Sequence, residues 1–123
     1  MVLDEATVLE IITENFEKEI ELEAAVGVME MDSYDLEDCF DNSVDYADLD
    51  GIDEIEVEEV FVEEEEDTTI VSGTLTALVM FSGYVHWDGE EVLIGDADKY
   101  MQFTFSFEVR DDKYVDFEVE CDM

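Results

Sequence analysis

Apolar residues recur at helical spacing near the start of the chain. The positions that share this spacing are Val8, Ile11, Ile12 and Phe16. They follow Asp4, a residue type that often caps helix N-termini, and so predict a helix from about residue 4 to 18. Residues 19–24 then alternate glutamate with apolar residues, which fits a strand, although the same residues are good helix formers. We favour a helix that continues to about residue 26, with Gly27 as its C-terminal stop.

Acidic residues without a regular period fill residues 30–53. Aromatic and aliphatic side chains are interspersed among these carboxylates, and they can hold the segment against a folded body. We therefore expect an acidic irregular segment, either a loop or short helical turns, between the helix and the rest of the domain.

Period-two alternation dominates the second half of the chain and predicts an antiparallel sheet over residues 54–121. The alternation changes phase at Glu58 and Glu59, which predicts a β-bulge. Asp88 and Gly89 form a strong hairpin-turn signal, and residues 92–94 are a candidate short extra strand. The chain is thus expected to form one α+β domain over residues 1–123. An N-terminal helix would pack on a four- to five-stranded antiparallel β-meander.

The charge of the chain is its most unusual property. The formal net charge is −35 on 123 residues, and no lysine or arginine lies between Lys18 and Lys99. Those 80 residues hold 27 of the 39 carboxylates. Such an excess opposes the compact state by self-repulsion, yet a hydrophobic fraction of 47% argues for a folded domain. We expect a protein of this kind to bind a strongly positive partner.

An EF-hand calcium loop is the first metal site to test in so acidic a chain. Placing Gly51 at the invariant glycine position puts Asp48 and Asp50 where carboxylates are needed. The same alignment puts Tyr46 at the first ligand position and Val57 at the last, where a bidentate glutamate is required. The motif is therefore rejected, and no metal or other cofactor is expected.

Other chemistry is also poorly supported by the sequence. Cys39, Cys121 and His86 supply too few ligands for a zinc site, and His86 has no visible nucleophile partner. The chain is expected not to be an enzyme. The N-terminus lacks the features of a signal peptide, so a cytoplasmic protein with reduced thiols is expected. Repulsion by phosphates argues against direct binding to nucleic acid or membranes.

Outward carboxylates two residues apart on a strand lie about 6.6 Å from one another. Residues 54–58 and 116–120 each present such a row, and these spacings are comparable to those between phosphates along a nucleic-acid strand. In this character, and in the lysine- and arginine-free stretch of residues 19–98, the chain resembles acidic DNA-mimic inhibitors of phages and mobile elements. Members of that group block restriction enzymes, CRISPR effectors or other DNA-binding proteins. The resemblance implies a non-enzymatic inhibitor that acts in the host cytoplasm.

The candidate partner is the basic nucleic-acid-binding surface of a defence or DNA-processing protein. The charged residues expected to contact it are Asp45, Asp48, Asp50, Asp53, Glu54, Glu56, Glu58, Glu63, Glu64, Glu65, Glu66 and Asp67. The aromatic residues expected to be exposed anchors among these acids are Tyr34, Phe40, Tyr46 and Phe61. A homodimer formed through an exposed sheet edge is a further expectation.

Two other interpretations remain open at the level of sequence. The chain fits an immunity protein that neutralises a basic nuclease toxin, because such proteins use electrostatic steering for fast association. It also fits adaptation to high salt, although the abundance of Ile, Phe and Met is atypical of haloarchaeal composition.

Overall fold

The computed structural model describes residues 3–122 and contains three helices followed by four strands. The helices are α1 (Glu5–Asn15), α2 (Glu17–Met29) and α3 (Ser33–Phe40), and the strands are β1 (Tyr46–Glu64), β2 (Thr69–Trp87), β3 (Glu90–Arg110) and β4 (Lys113–Asp122). The strands form one antiparallel sheet in the order β1-β2-β3-β4. The predicted α+β class with an antiparallel meander is therefore confirmed. The sheet has four strands, because residues 92–94 belong to β3.

The hydrophobic core lies between the helices and one face of the sheet. The central strands contribute alternate residues to it, and each helix contributes the side chains of one face. The largest side chains that are fully buried there are Phe81, Phe103, Phe105, Phe107, Ile12, Ile20 and Leu75. This alternation leaves the opposite sheet face free of helices.

The prediction of one continuous N-terminal helix is wrong, because the helix breaks at Phe16. The backbone of Phe16 has φ −129° and ψ 9°, outside helical geometry. Its ring stacks on Phe117 of β4, with centroids 4.3 Å apart, and also contacts Phe107 of β3. Packing against the sheet thus turns the chain between α1 and α2.

Residues 19–24 are helical, so the strand alternative does not apply. On α2 the alternating pattern buries Ile20 and Ala24 and leaves Leu22 61% exposed. The helix runs two residues past Gly27, which is therefore not its stop. A Cβ atom at Gly27 would lie 3.1 Å from Cys121 Sγ, so the glycine allows close packing of α2 on β4.

The expected irregular segment at residues 30–53 is largely regular. Asp32 caps α3 by accepting a hydrogen bond from the Asp35 amide at 2.9 Å. The sheet begins at Tyr46 rather than residue 54, since three bulges in β1 hide its alternation from the sequence. The predicted bulge at Glu58 and Glu59 is one of the three.

One edge of β3 is only partly covered by β4. β4 pairs with β3 only from Gln102 to Arg110. Residues 90–101 of β3 pair with β2 on one side, and within residues 3–122 no strand pairs with them on the other. This free segment follows the β2–β3 hairpin, where Trp87 is 74% exposed.

Candidate functional site

The helix-free face of the sheet, called here the open face, carries a regular arrangement of polar side chains. Residues directly opposite one another in an antiparallel sheet point to the same face, so the register defines rows that cross all four strands. From β1 to β4 the three rows are Glu56, Thr76, Gln102 and Asp122; Glu59, Thr74, Thr104 and Glu120; and Phe61, Ser72, Ser106 and Glu118. Two of these rows have a carboxylate at each end and uncharged side chains between them.

The carboxylates at the two ends form lines along the outer strands. The exposed members on β1, called here the β1 row, are Asp48, Asp50, Asp53, Glu54, Glu56, Glu58 and Glu59. Those on β4, the β4 row, are Glu118, Glu120 and Asp122. Adjacent strands lie about 4.8 Å apart, so the two outer strands are separated by about 14 Å. Where all four strands pair, the open face thus has an anionic line at each edge and uncharged side chains between them. Beyond the end of β4, Asp96 and Asp98 of β3 are exposed carboxylates on the same face.

The bulges of β1 raise the density of carboxylates in the β1 row. Register shifts occur between Leu49 and Gly51, between Asp53 and Glu56, and between Val57 and Glu59. The extra residues include Asp50, Glu54 and Glu58, and each of these carboxylates accepts a hydrogen bond from a hydroxyl of β2 or β3. The donors are Ser82 to Asp50 (2.5 Å), Tyr100 to Glu54 and Thr76 to Glu58. Each bulge therefore adds a carboxylate that is held over the open face.

Glu54 shows the backbone adjustment that such a bulge requires. Its φ is +47°, a left-handed conformation that is uncommon for residues other than glycine, asparagine and aspartate. The Asp53 carboxylate accepts a hydrogen bond from the Glu54 amide at 2.8 Å, which supports this turn. The Glu54 side chain also raises the pKa of Tyr100 by accepting its hydroxyl hydrogen bond.

The predicted charged contacts fall into two groups. Asp45 precedes β1, and the predicted residues from Asp48 to Glu58 all belong to the β1 row. Glu63 and Glu64 end β1, and residues 65–67 lie in the following turn, where all are exposed. The structure brings the first group together on one face and sets the second at the end of the sheet. Their contact with a partner stays a prediction.

The predicted aromatic anchors differ in their accessibility. Tyr34 on α3 is 82% exposed and Phe61 on β1 is 61% exposed. Phe40 is not an exposed anchor, because its ring packs edge-on against Phe81 and lies over Gly83 in the core. Tyr46 is half-buried against Tyr84. Of the four, only Phe61 and Tyr46 lie on the open face, since α3 packs on the other side.

Sequence reasoning missed the residues that organise the open face. The hydroxyl donors on β2 and β3, and Asp122 at the end of β4, were not among the predicted site residues. Thr104 donates a hydrogen bond to Asp122 at 2.5 Å, which fixes the end of the β4 row. The only available signal was the alternation of residues 116–122, which could not reveal that β4 lies opposite β1.

Positive charge on the open face is confined to one corner. Arg110, near the β3–β4 turn, forms ion pairs with Glu108 and Asp116. Lys113 lies directly opposite Arg110 in the register. Arg110 is thus partly neutralised by its own neighbours, and the β1 row lies on the opposite edge of the sheet.

The two thiols and the potential metal ligands are the remaining groups of chemical interest in residues 3–122. Cys39 and Cys121 are free, and burial raises the pKa of both thiols, that of Cys121 to about 11. Residues 3–122 contain no group of three or more His, Cys, Asp or Glu side chains arranged to hold a metal ion. They also include no helix long and apolar enough to cross a membrane.

Comparison with known proteins provides no relative for this arrangement. No protein-family model matches the chain, and no curated protein or solved structure shows significant similarity to it. Evidence for a function therefore comes from the surface of the molecule itself.

Proposed function

We propose that the protein is a non-enzymatic DNA mimic. Its open face would occupy the basic nucleic-acid-binding surface of a defence or DNA-processing protein, of the CRISPR-effector or restriction-enzyme class. The observation that supports this most directly is the pair of carboxylate rows on β1 and β4, which lie on either side of uncharged side chains where all four strands pair.

The dimensions of the open face fit this role. The two outer strands are about 14 Å apart, which is close to the width of a B-DNA major groove, about 12 Å. Along each strand, alternate residues repeat at about 6.7 Å, and the bulges of β1 add further charges. A protein surface that contacts phosphates on both sides of a groove would meet carboxylates here at intervals similar to those of the phosphates.

Occlusion is the simplest mechanism for such a face. The partner's lysine and arginine side chains, which normally hold phosphates, would pair with the carboxylate rows, and both surfaces would release counterions. The net charge of −35 would accelerate the encounter and make it sensitive to salt. Because the contacts are distributed over many carboxylates, we expect single Glu→Gln changes to have small effects.

The decisive experiment is an affinity capture with two variants that lose the same number of charges at different places on the molecule. The tagged protein captures partners from a nuclease-treated bacterial lysate at about 100 mM salt, and duplex DNA is then used to displace them. One variant neutralises the β1 row through D50N, E54Q, E56Q and E58Q, substitutions that retain a hydrogen-bond acceptor. The control changes four exposed carboxylates of the helical layer, through E10Q, E14Q, E17Q and E19Q. Each variant loses four negative charges, so its net charge is −31 instead of −35.

DNA mimicry predicts that duplex DNA displaces the captured nucleic-acid-binding protein. It also predicts that the β1-row variant loses this protein whereas the control variant retains it. A partner that DNA does not displace would instead support an immunity-type protein. Equal loss in both variants would mean that total charge rather than its placement on the open face determines binding. Absence of any partner, with unfolding below molar salt, would support adaptation to high salt.

A further inference from the structure

Aromatic rings from two strands meet on the open face near the β2–β3 hairpin. Tyr46 of β1 stacks on Tyr84 of β2, with ring centroids 5.3 Å apart and planes inclined by 17°. The ring of His86 lies 5.6 Å from that of Tyr46. On β3, Leu93 lies directly opposite Tyr84 and is 59% exposed. We refer to Tyr46, Tyr84 and His86 as the aromatic row.

Carboxylates surround this row and constrain its geometry. Asp45 accepts a hydrogen bond from the His86 amide at 2.7 Å, and its carboxylate lies 3.6 Å from His86 Nδ1. Glu91 is opposite His86 in the register, and its carboxylate raises the pKa of Tyr46. Asp48 continues the same face along β1. The half-buried tyrosine rings and the exposed His86 and Leu93 side chains are thus bordered by negative charge on β1 and β3.

A planar cation matches these features better than a compact one. A guanidinium group stacks on aromatic faces and pairs with carboxylates through two parallel hydrogen bonds, whereas an ammonium group is a strongly hydrated point charge. A second copy of this chain is a poor occupant, because each copy has a net charge of −35. Charge complementarity therefore selects a basic protein surface.

We propose that the aromatic row is an arginine-binding site that receives an arginine side chain from the partner. This inference rests on the proposed function, because it takes the partner to be a basic protein. It identifies the aromatic row as the anchor of the interface, and the carboxylate rows as the source of long-range attraction. Tryptophan, tyrosine and arginine are the residue types that most often form such anchors.

The test compares two peptides of equal charge, hexa-arginine and hexa-lysine, binding to the full chain at about 100 mM salt. Wild-type protein is expected to bind hexa-arginine about two- to five-fold more tightly, the size of a single exposed cation–π contact. Tyr84→Leu should abolish this preference, and Tyr84→Phe, which keeps the ring, should retain it. In NMR titrations, the amide signals of residues 84–86 and 91–93 should shift more with hexa-arginine than with hexa-lysine.

A matched pair of charge variants separates the contribution of a carboxylate beside the aromatic row from bulk electrostatics. Glu91→Gln should reduce the preference for arginine, whereas Glu14→Gln on α1 should weaken both peptides equally and leave their ratio unchanged. Should Tyr84→Leu fail to fold, this pair and the wild-type NMR map still decide the question. Equal affinity of wild-type protein for the two peptides, or shifts spread evenly over the acidic surface, would overturn the proposal.

The outcome is independent of the DNA-displacement experiment. A partner that DNA displaces, combined with no arginine preference, would leave the proposed function standing and remove the arginine site. An arginine preference that disappears in Tyr84→Leu, combined with a partner that DNA does not displace, would support the arginine site and contradict the proposed DNA mimicry.

Discussion

Gly73 of β2 lies directly against the backbone carbonyl of Glu59 in β1. A Cβ atom at Gly73 would lie 1.9 Å from the Glu59 oxygen and 2.9 Å from its carbonyl carbon. The contact arises beside the bulge between Val57 and Glu59, where β1 bends towards its neighbour. The glycine therefore permits a backbone geometry that also places Glu58 over the open face.

Substitution of this glycine is expected to damage the fold. Gly73→Ala should destabilise the protein by about 3 kcal/mol, at the upper end of typical overpacking effects, because the obstructing atoms belong to the backbone. Gly95→Ala is the matched control on β3. Apart from its chain neighbours, no heavy atom of residues 3–122 lies within 4 Å of a Cβ built at Gly95. Its effect should stay within about 0.5 kcal/mol. Urea unfolding of the two variants measures the difference, and equal midpoints would contradict this account.

Self-repulsion predicts that salt stabilises the folded protein. Only four lysines and arginines oppose 39 carboxylates, so the folded state concentrates negative charge that screening relieves. We expect the melting temperature to rise steadily between about 10 mM and 500 mM NaCl, and to rise further with divalent cations at equal ionic strength. Differential scanning fluorimetry provides the measurement. A melting temperature independent of salt over this range would refute the prediction.

Tyr46 should lose its proton at a higher pH than an ordinary tyrosine. Hydrogen bonding to the Glu91 carboxylate, with a smaller contribution from burial, raises the pKa of Tyr46 from its ordinary value of 10.0 to about 12. Because the folded-state pKa is the higher one, the stabilisation is complete below pH 10 and is lost as the pH rises to about 12. In ultraviolet titrations, Glu91→Gln should lower the midpoint of this tyrosine. Tyr46→Phe identifies its signal by removing it, and an unshifted midpoint in Glu91→Gln would show that Glu91 is not the cause.

Cys121 should react slowly with alkylating reagents. Burial, followed by the nearby Glu23 carboxylate, raises the pKa of its thiol to about 11. The thiolate is the reactive form, so at pH 8 this higher pKa lowers the thiolate fraction by about 100-fold. Iodoacetamide labelling followed by mass spectrometry should show this protection in native protein and its loss in urea. Native labelling as fast as in urea would indicate that the thiol is neither buried nor close to Glu23.

Local sequence patterns predict those elements in which one face is uniformly buried. In residues 99–110, every second side chain is large and apolar, so the strand and its inward face follow from periodicity alone. Asp4 is also confirmed as an N-cap, since its side chain accepts a hydrogen bond from the Thr7 amide at 2.8 Å. These features depend on residues close together in the chain.

The features that sequence reasoning missed depend on distant contacts. Phe16 interrupts the helix without a proline or glycine, because its ring stacks on Phe117, about 100 residues later in the chain. The bulge near Glu54 also lacks a local signal, since no glycine marks it. Gly51, beside the bulge at Asp50, is a local signal, but the carboxylate-rich segment around it does not show strand alternation. The acidic face could be anticipated from composition, but the pairing of β1 and β4 rows across it required the strand register.

The net charge also affects solubility, because residues 90–101 of β3 have an unpaired edge. Exposed backbone donors and acceptors at residues 90–101 form a template on which another strand could add, and such edges promote aggregation unless they are protected. Here mutual repulsion between copies, together with Asp96 and Asp98, supplies that protection. Variants that neutralise many carboxylates to map the interface will also weaken this barrier to fibril-like assembly, so their loss of binding must be measured on protein shown to remain monomeric.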